Sequence, residues 1–248
     1  MNTQLLDELV NRLREALGSS LVNVTLYGSA ATGDYQEKVS DFNVLCVLDA
    51  VGREQLEAAY PAVDWWLKKR QPAPVLLSRE EIANGHDAFA IEFLDIRQAY
   101  RTLHGEDLVA AIEIEPAHHR HQVEHELRSR LLRLRERYLA LQKDRKQTTQ
   151  LMVDSLPTFA TLLRHALMLE GEPATMKKSE VFRAAAERLG LSVEPFETLL
   201  AVRDGSRRLS EPEIRSVFES YLNQITKAAE HVDRLDAAAE NESARKES

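Results

Sequence analysis

The sequence predicts an α+β domain, with helices packed on a mixed sheet, followed by an all-α helical bundle. Short apolar runs alternate with helical segments in the first part of the chain, and from about Pro116 the apolar spacing is helical throughout. The 248 residues, of which 44% are apolar, suffice for two ordinary domains. We therefore expect an α/β domain over residues 1–115, a helical bundle over 116–236 and a disordered tail over 237–248.

The first domain begins with an acidic amphipathic helix up to Leu17, whose apolar residues recur at helical spacing. The next predicted elements are a strand from Leu21 to Tyr27 and a turn at Gly28 and Ser29. A second strand from about Asn43 to Leu48 and a helix from about Arg53 to Lys69 follow. Val75 to Leu77 then form a short strand, and Ser78 caps a helix with Glu81 three residues on.

Ala88 to Ile96 is predicted to be the last strand of this domain. It carries two acidic residues between apolar neighbours, Glu92 and Asp95. Their odd spacing would place them on opposite faces of a strand. Only one of the two is therefore expected to join a site on the sheet.

The bundle is predicted from a long helix whose apolar residues alternate spacings of four and three. A second long helix runs from Leu151 to Leu169, ends near Gly171 and has Pro157 as a kink or boundary. The remaining predicted helices are Ser179 to Leu189, Glu194 to Arg203, and Glu211 to about Leu235. The small, charged residues from Ala237 onward have nothing to bury, which is typical of disorder.

The candidate site begins at Gly28 and Ser29, where an apolar strand runs into a turn of small residues ending at Thr32 and Gly33. Such a turn lets a triphosphate approach backbone N–H groups and the Ser29 hydroxyl. Asp41 follows Ser40 and opens the next apolar run, in which Asp41 and Asn43 share one face of a strand. This is the geometry of a metal-binding pair.

These residues resemble the motifs of the nucleotidyltransferase superfamily, which includes DNA polymerase beta and the aminoglycoside adenylyltransferases. Tyr27-Gly28-Ser29 is similar to the first family motif, and the four residues Asp41 to Val44 match three positions of its acidic-apolar-acidic-apolar strand. The departure is Asn43, which stands where the family has its second carboxylate. The resemblance in motifs covers Tyr27 to about Ile96, and the helical second half is similar to the family in layout alone.

The resemblance implies a nucleoside triphosphate as substrate or ligand and Mg²⁺ as cofactor, bound between the two domains. Gly28 and Ser29 would bind the nucleotide, and Asp41, Asn43 and Glu92 would be the catalytic metal ligands, with Asp95 as the alternative third ligand. Asn43 removes one formal charge, which at ~4 Å from another charge is worth on the order of 1–4 kcal/mol. We therefore expect weak or lost transfer, with one bound ion as an alternative to two.

Two other functions remain open. An active adenylyltransferase of a small hydroxylated acceptor would use Asn43 as a metal ligand. A regulatory or antitoxin-like module would keep the fold to sense a nucleotide or to hold a protein partner. The local alternatives are a plain strand connection at Gly28 and Ser29, and a strand-entry cap at Asp41.

The composition argues against several classes of protein. The net charge of −8 does not favour general nucleic-acid binding, which needs an excess of clustered Lys and Arg. Cys46 is the only cysteine, so the chain has no disulfide and no thiolate cluster. The first residues lack the pattern of an export signal, and no membrane segment is predicted, which favours a cytoplasmic protein.

Four histidines lie close together at the predicted start of the long helix; they are His118, His119, His121 and His125. His121 and His125 are one helical turn apart, but no acidic or cysteine partner follows at a defined spacing. We interpret this segment as a solvated helix start.

Overall fold

The computed structural model describes residues 3–31, 41–173, 175 and 177–246. The chain divides into two compact units, Met1–His118 and His119–Ser248. Within the described residues, no helix is both long and apolar enough to cross a membrane.

The first unit is a four-stranded mixed sheet with helices. Its elements are α1 (Thr3–Leu17), β1 (Leu21–Tyr27), β2 (Asn43–Leu48), α2 (Arg53–Lys68), β3 (Val75–Ser78), α3 (Arg79–Asn84), α4 (Ala90–Gln98) and β4 (Tyr100–Gly105). The strand order is β3-β2-β1-β4; β2 and β3 are parallel, and β1 is antiparallel to both β2 and β4. The predicted α+β class is confirmed.

The two faces of the sheet are packed against different elements. On one face, alternate residues such as Leu26, Phe42 and Val44 belong to the apolar cluster that contains the buried side of α1 and α2. On the other face, Leu45 and Val47 pack with residues of α4 and of the segment after β4. Because neighbouring strand residues alternate, each position of β1 and β2 is assigned to one face.

The prediction of a strand over Ala88 to Ile96 is wrong, because residues 90–98 form helix α4. Phe93 and Ile96 are one helical turn apart and are both buried against the sheet. Since apolar residues flank both Glu92 and Asp95, the pattern of this segment alone fits a helix as well as a strand. The strand that completes the sheet is β4, which begins at Tyr100 just after this helix.

The cap predicted at Ser78 is confirmed. The Ser78 Oγ accepts a hydrogen bond from the Glu81 N–H at 3.1 Å, and the Glu81 carboxylate accepts from the Ser78 N–H at 2.7 Å. This reciprocal pair satisfies two backbone donors at the start of α3 and separates that helix from β3.

The second unit is a helical bundle, as predicted. Its helices are α5 (Pro116–Leu141), α6 (Arg145–Leu169), α7 (Lys178–Leu189), α8 (Glu194–Arg203) and α9 (Glu211–Lys246), with the first residues of α5 assigned to the first unit. Stacked and edge-to-face aromatic contacts join three helices of the core. The ring centroids of Phe182 and Phe196 lie 4.5 Å apart, and those of Phe196 and Tyr221 lie 5.5 Å apart.

Two features of the bundle differ from the sequence-based expectation. Helix α9 continues to Lys246, through a segment from Ala237 that was expected to be disordered. The alanine and charged residues of that segment are good helix formers, so it continues the helix that precedes it. Residues 247 and 248 lie outside the described part of the chain.

The expectation of a solvated start of α5 is confirmed for His121 and His125, which are exposed, and is wrong for the two residues that precede His121. His119 and Arg120 are both buried. The Nε2 atom of His119 lies 2.8 Å from Nδ1 of the fully buried His165, so one ring donates a hydrogen bond to the other. Burial of both rings on facing helices is a tertiary effect that the run of histidines did not indicate.

Candidate functional site

The turn after β1 has a backbone conformation that favours glycine. Gly28 has a φ of +78°, in the left-handed region, and begins a short 3-10 turn over Gly28–Ala30. The Gly28 N–H donates to the Ala99 carbonyl at 2.8 Å, and the Ala31 N–H donates to the Gly28 carbonyl at 2.9 Å. Two amides of this segment are therefore already used in hydrogen bonds within the protein.

Asn43 lies directly against this turn. Asn43 and Tyr27 are paired residues of β2 and β1, and a Cβ added to Gly28 would be 3.2 Å from Nδ2 of Asn43. The half-buried Asn43 side chain is thus on the sheet face opposite Phe42 and beside the glycine. The structure therefore brings the Asn43 amide next to the turn, as was expected of two parts of one site.

Phe42 holds the start of β2 in place. Its side chain is fully buried, its ring centroid lies 6.1 Å from that of Trp66, and its N–H donates to Oε1 of Gln71 at 2.8 Å. Asp41, the residue before it, is exposed. Gln71 lies in the connection after α2, and no signal in the sequence related it to the site.

Helix α4 brings Glu92 and Asp95 to the same end of β1. The two residues are three apart on a helix, so they lie on neighbouring positions of one side and not on the opposite faces predicted for a strand. Burial raises the pKa of the Tyr27 phenol, and the nearby negative charges of Asp95 and then Glu92 raise that pKa further. Both carboxylates are therefore within electrostatic range of Tyr27, the residue that pairs with Asn43.

The donor set fits a magnesium ion only in part. Among the described residues, no three His, Cys, Asp or Glu side chains are grouped closely enough to hold a metal ion. Mg²⁺ is commonly bound by one or two carboxylates together with substrate phosphates and water. The described residues are therefore better suited to an ion that brings phosphate oxygens with it than to an ion held by the protein alone.

Three residues next to the predicted nucleotide and metal ligands are outside the part of the chain that the structure describes. They are Thr32 and Gly33, which follow the turn, and Ser40, which precedes Asp41.

Comparisons with known proteins agree with the fold of the first unit. The family model of the nucleotidyltransferase domain matches residues 6–100. The crystal structure of spectinomycin adenyltransferase AAD(9) from Enterococcus faecialis with ATP and spectinomycin is similar to this chain, with a TM-score of 0.58 and 14% sequence identity. The alignment covers 94% of this chain and 100% of that one. No curated protein matches the sequence.

These findings confirm the nucleotidyltransferase superfamily as the one that the motifs around Gly28 and Asp41 resemble. The first unit of the chain has the nucleotidyltransferase fold, and a fold related to an aminoglycoside adenylyltransferase extends over the chain.

Proposed function

We propose that this chain is a nucleotidyltransferase-like protein that binds a magnesium–nucleoside triphosphate and transfers the nucleotidyl group weakly or not at all. The observation that carries the proposal is the position of Asn43. Its side chain lies against Gly28, in the turn that would receive the phosphates, and it is an amide where the family has a carboxylate. The fold supports nucleotide binding, and the substitution argues for a weakened metal site.

Each residue of the site has an expected role in this proposal. Gly28 allows the triphosphate to approach the backbone, and Ser29 donates its hydroxyl to a phosphate oxygen. Asp41 and an acid of α4, Glu92 with Asp95 as the alternative, are ligands of Mg²⁺. A bound magnesium ion would neutralise charge on the triphosphate. Asn43 offers a neutral carbonyl oxygen, which binds a cation less strongly than a carboxylate does.

Calorimetry and a transfer assay together test this function. We expect titration with ATP to give binding that requires Mg²⁺, and we expect an α-labelled nucleotide to leave little or no label on hydroxylated acceptors. If ATP does not bind, the nucleotide-binding function is wrong and a regulatory module that holds a protein partner becomes the better explanation. If label is transferred at ordinary enzyme rates, the weakened metal site is wrong.

A second candidate is an active adenylyltransferase of a small hydroxylated acceptor. The observation in its favour is the similarity to an adenyltransferase solved with ATP and spectinomycin, because the alignment spans the whole of that chain. In this case Asn43 coordinates the metal and a single ion is sufficient. A panel of aminocyclitol and aminoglycoside acceptors, spectinomycin included, distinguishes this candidate from the first, since one labelled product would identify both the activity and the acceptor.

A further inference from the structure

The second unit contains a large open cavity that the proposed function does not use. Its volume is about 830 Å³, and it lies between the first half of α6, the end of α8 and the segment that leads into α9. Ligand pockets for small molecules are commonly of this size. All of its lining residues belong to the helical unit.

The lining of this cavity is strongly basic. It includes five cationic side chains and only two carboxylates, those of Asp154 and Glu211; the cations are Arg145, Lys146, Arg203, Arg207 and Arg208. This excess is opposite in sign to the net charge of −8 of the whole chain. A local concentration of positive charge in a concave surface attracts anions.

Two of these cations are engaged within the protein. Arg145 forms an ion pair with Glu211, and Arg207 pairs with Glu213 at 3.0 Å and donates to Oγ1 of Thr198 at 3.1 Å. These contacts hold the segment between α8 and α9 against the bundle.

Lys146, Arg203 and Arg208 make no ion pair within the part of the chain that the structure describes. They come from the start of α6, the last residue of α8 and the connection to α9. Their charges are brought to one cavity by three different parts of the chain. Arginine guanidinium groups bind phosphate oxygens through paired hydrogen bonds, and a lysine ammonium adds a point charge.

The charge of Arg203 also acts on a neighbouring lysine. Lys178, at the start of α7, has its pKa lowered by burial and further by the charge of Arg203. A bound anion beside Arg203 would reduce this repulsion.

The cavity also has an apolar part. Val153, Pro157 and Leu209 contribute to the lining, as does the buried side chain of Ile214. An inorganic ion would leave most of this volume and all of this apolar surface without contact. The lining is therefore complementary to a molecule with an anionic group and a sizeable organic body.

From this lining we infer that the helical unit has a second ligand site, one that binds a phosphorylated organic molecule about the size of a nucleotide. Lys146, Arg203 and Arg208 bind the phosphate, whose charge at neutral pH is about −1.5 to −2. The organic part contacts Val153, Pro157 and Leu209. This site shares no residue with the turn at Gly28, and the inference does not depend on the proposed function.

The test uses the full chain in the presence of a magnesium chelator, with adenosine 5′-monophosphate and ribose 5-phosphate as probes and adenosine as the uncharged control. We expect both phosphates to bind and adenosine to bind much more weakly. The double substitution Arg203→Gln with Arg208→Gln should weaken phosphate binding by about tenfold or more, because hydrogen bonds between charged groups are lost. Arg183→Gln with Arg188→Gln is the matched control, since both residues are exposed, lie on α7 outside the lining and change the net charge equally.

A second measurement is independent of the variants. Gly205 lines the cavity, and its amide resonance should shift when adenosine 5′-monophosphate is added to the wild-type protein. Equal loss of affinity in the two double variants would overturn the inference, because the effect would then be one of overall charge. Shifts confined to the region of Gly28 would also overturn it. A short RNA that binds far more tightly than either small phosphate would replace the inferred ligand by a polynucleotide.

Discussion

Gly28 and Asn43 occupy adjoining space at the end of β1, because a Cβ atom added to Gly28 would lie only 3.2 Å from Nδ2 of Asn43. Two separate constraints therefore act on Gly28. Its φ of +78° is one that L side chains adopt at a cost, and the neighbouring amide limits the room for a Cβ. Asn43, which departs from the motif that the sequence resembles, thus lies beside Gly28, which matches it.

Gly28→Ala should destabilise the protein more than the same change at Gly171. Both glycines have a φ of +78°, but a Cβ at Gly171 would meet no atom within 4 Å. We expect about 1–2 kcal/mol for the backbone strain in each variant, and an additional loss at Gly28 from the contact with Asn43. Urea denaturation measures both. Combining Gly28→Ala with Asn43→Ala should recover the additional loss, and if it does not, the contact is not its source.

Asn43→Asp restores the acidic-apolar-acidic strand and should strengthen the response to Mg²⁺–ATP. Without metal, the new carboxylate repels nearby negative charge and slightly lowers stability. With the metal complex bound, a tenfold gain in affinity would raise the free energy of unfolding by up to about 1.4 kcal/mol. Thermal unfolding with and without Mg²⁺–ATP measures this difference. A variant that responds as the wild type does would remove Asn43 from the metal site.

Asp41→Ala should abolish magnesium-dependent nucleotide binding while the fold stays intact. Asp41 is exposed, so little packing is lost with its carboxylate. Asp49→Ala is a suitable control because Asp49 is also exposed and lies just beyond the other end of β2. Calorimetric titration with Mg²⁺–ATP should give no binding for the first variant and unchanged binding for the second. Equal affinity in both would favour a capping role for Asp41.

Glu92→Gln and Asp95→Asn separate the two candidate ligands of α4. Removal of a negative charge near Tyr27 makes the phenolate easier to form, so the Tyr27 pKa should fall toward 10.0 in both variants. The decrease should be larger in Asp95→Asn, because Asp95 raises the pKa more than Glu92 does. The pKa should stay above 10.0 in both, because the phenol is still buried. Ultraviolet titration measures the phenol, with Tyr27→Phe as the reference. Nucleotide affinity that falls only in Asp95→Asn would make Asp95 and not Glu92 the third ligand.

Acid should weaken the start of α9 through Glu213. Hydrogen bonds from the Ser210 hydroxyl and N–H, with the nearby Arg207, lower the Glu213 pKa from 4.5 to about 2. Because the folded pKa is depressed, this stabilisation is present above pH 4.5 and is lost as the pH falls from 4.5 toward 2. The free energy of unfolding, measured by denaturation at several pH values in this range, should fall more steeply with decreasing pH for the wild type than for Glu213→Gln. An equal pH dependence in the two proteins would show that the hydrogen bonds between Ser210 and Glu213 do not contribute to stability.

Local patterns were sufficient for much of the fold. The alternation of Phe42, Asn43 and Val44 across β2, the cap at Ser78 and the change to helical spacing at Pro116 each depend on neighbours in the chain, and the structure agrees with them. Residues 90–98 are different because their apolar side chains fit either period. Their helical state follows from packing of Phe93 and Ile96 on the sheet, which is contact with residues distant in sequence.

The sequence by itself determined the fold class and the turn at Gly28, because these depend on residue types and short spacings. It also has Asn43 at the position where the resemblance implies a second carboxylate. Only the tertiary structure decided that α4 brings Glu92 and Asp95 near Tyr27, and that Lys146, Arg203 and Arg208 line one cavity. The residues in each of these groups come from separate elements, so their proximity depends on how the helices pack. Short patterns in the sequence do not indicate that packing.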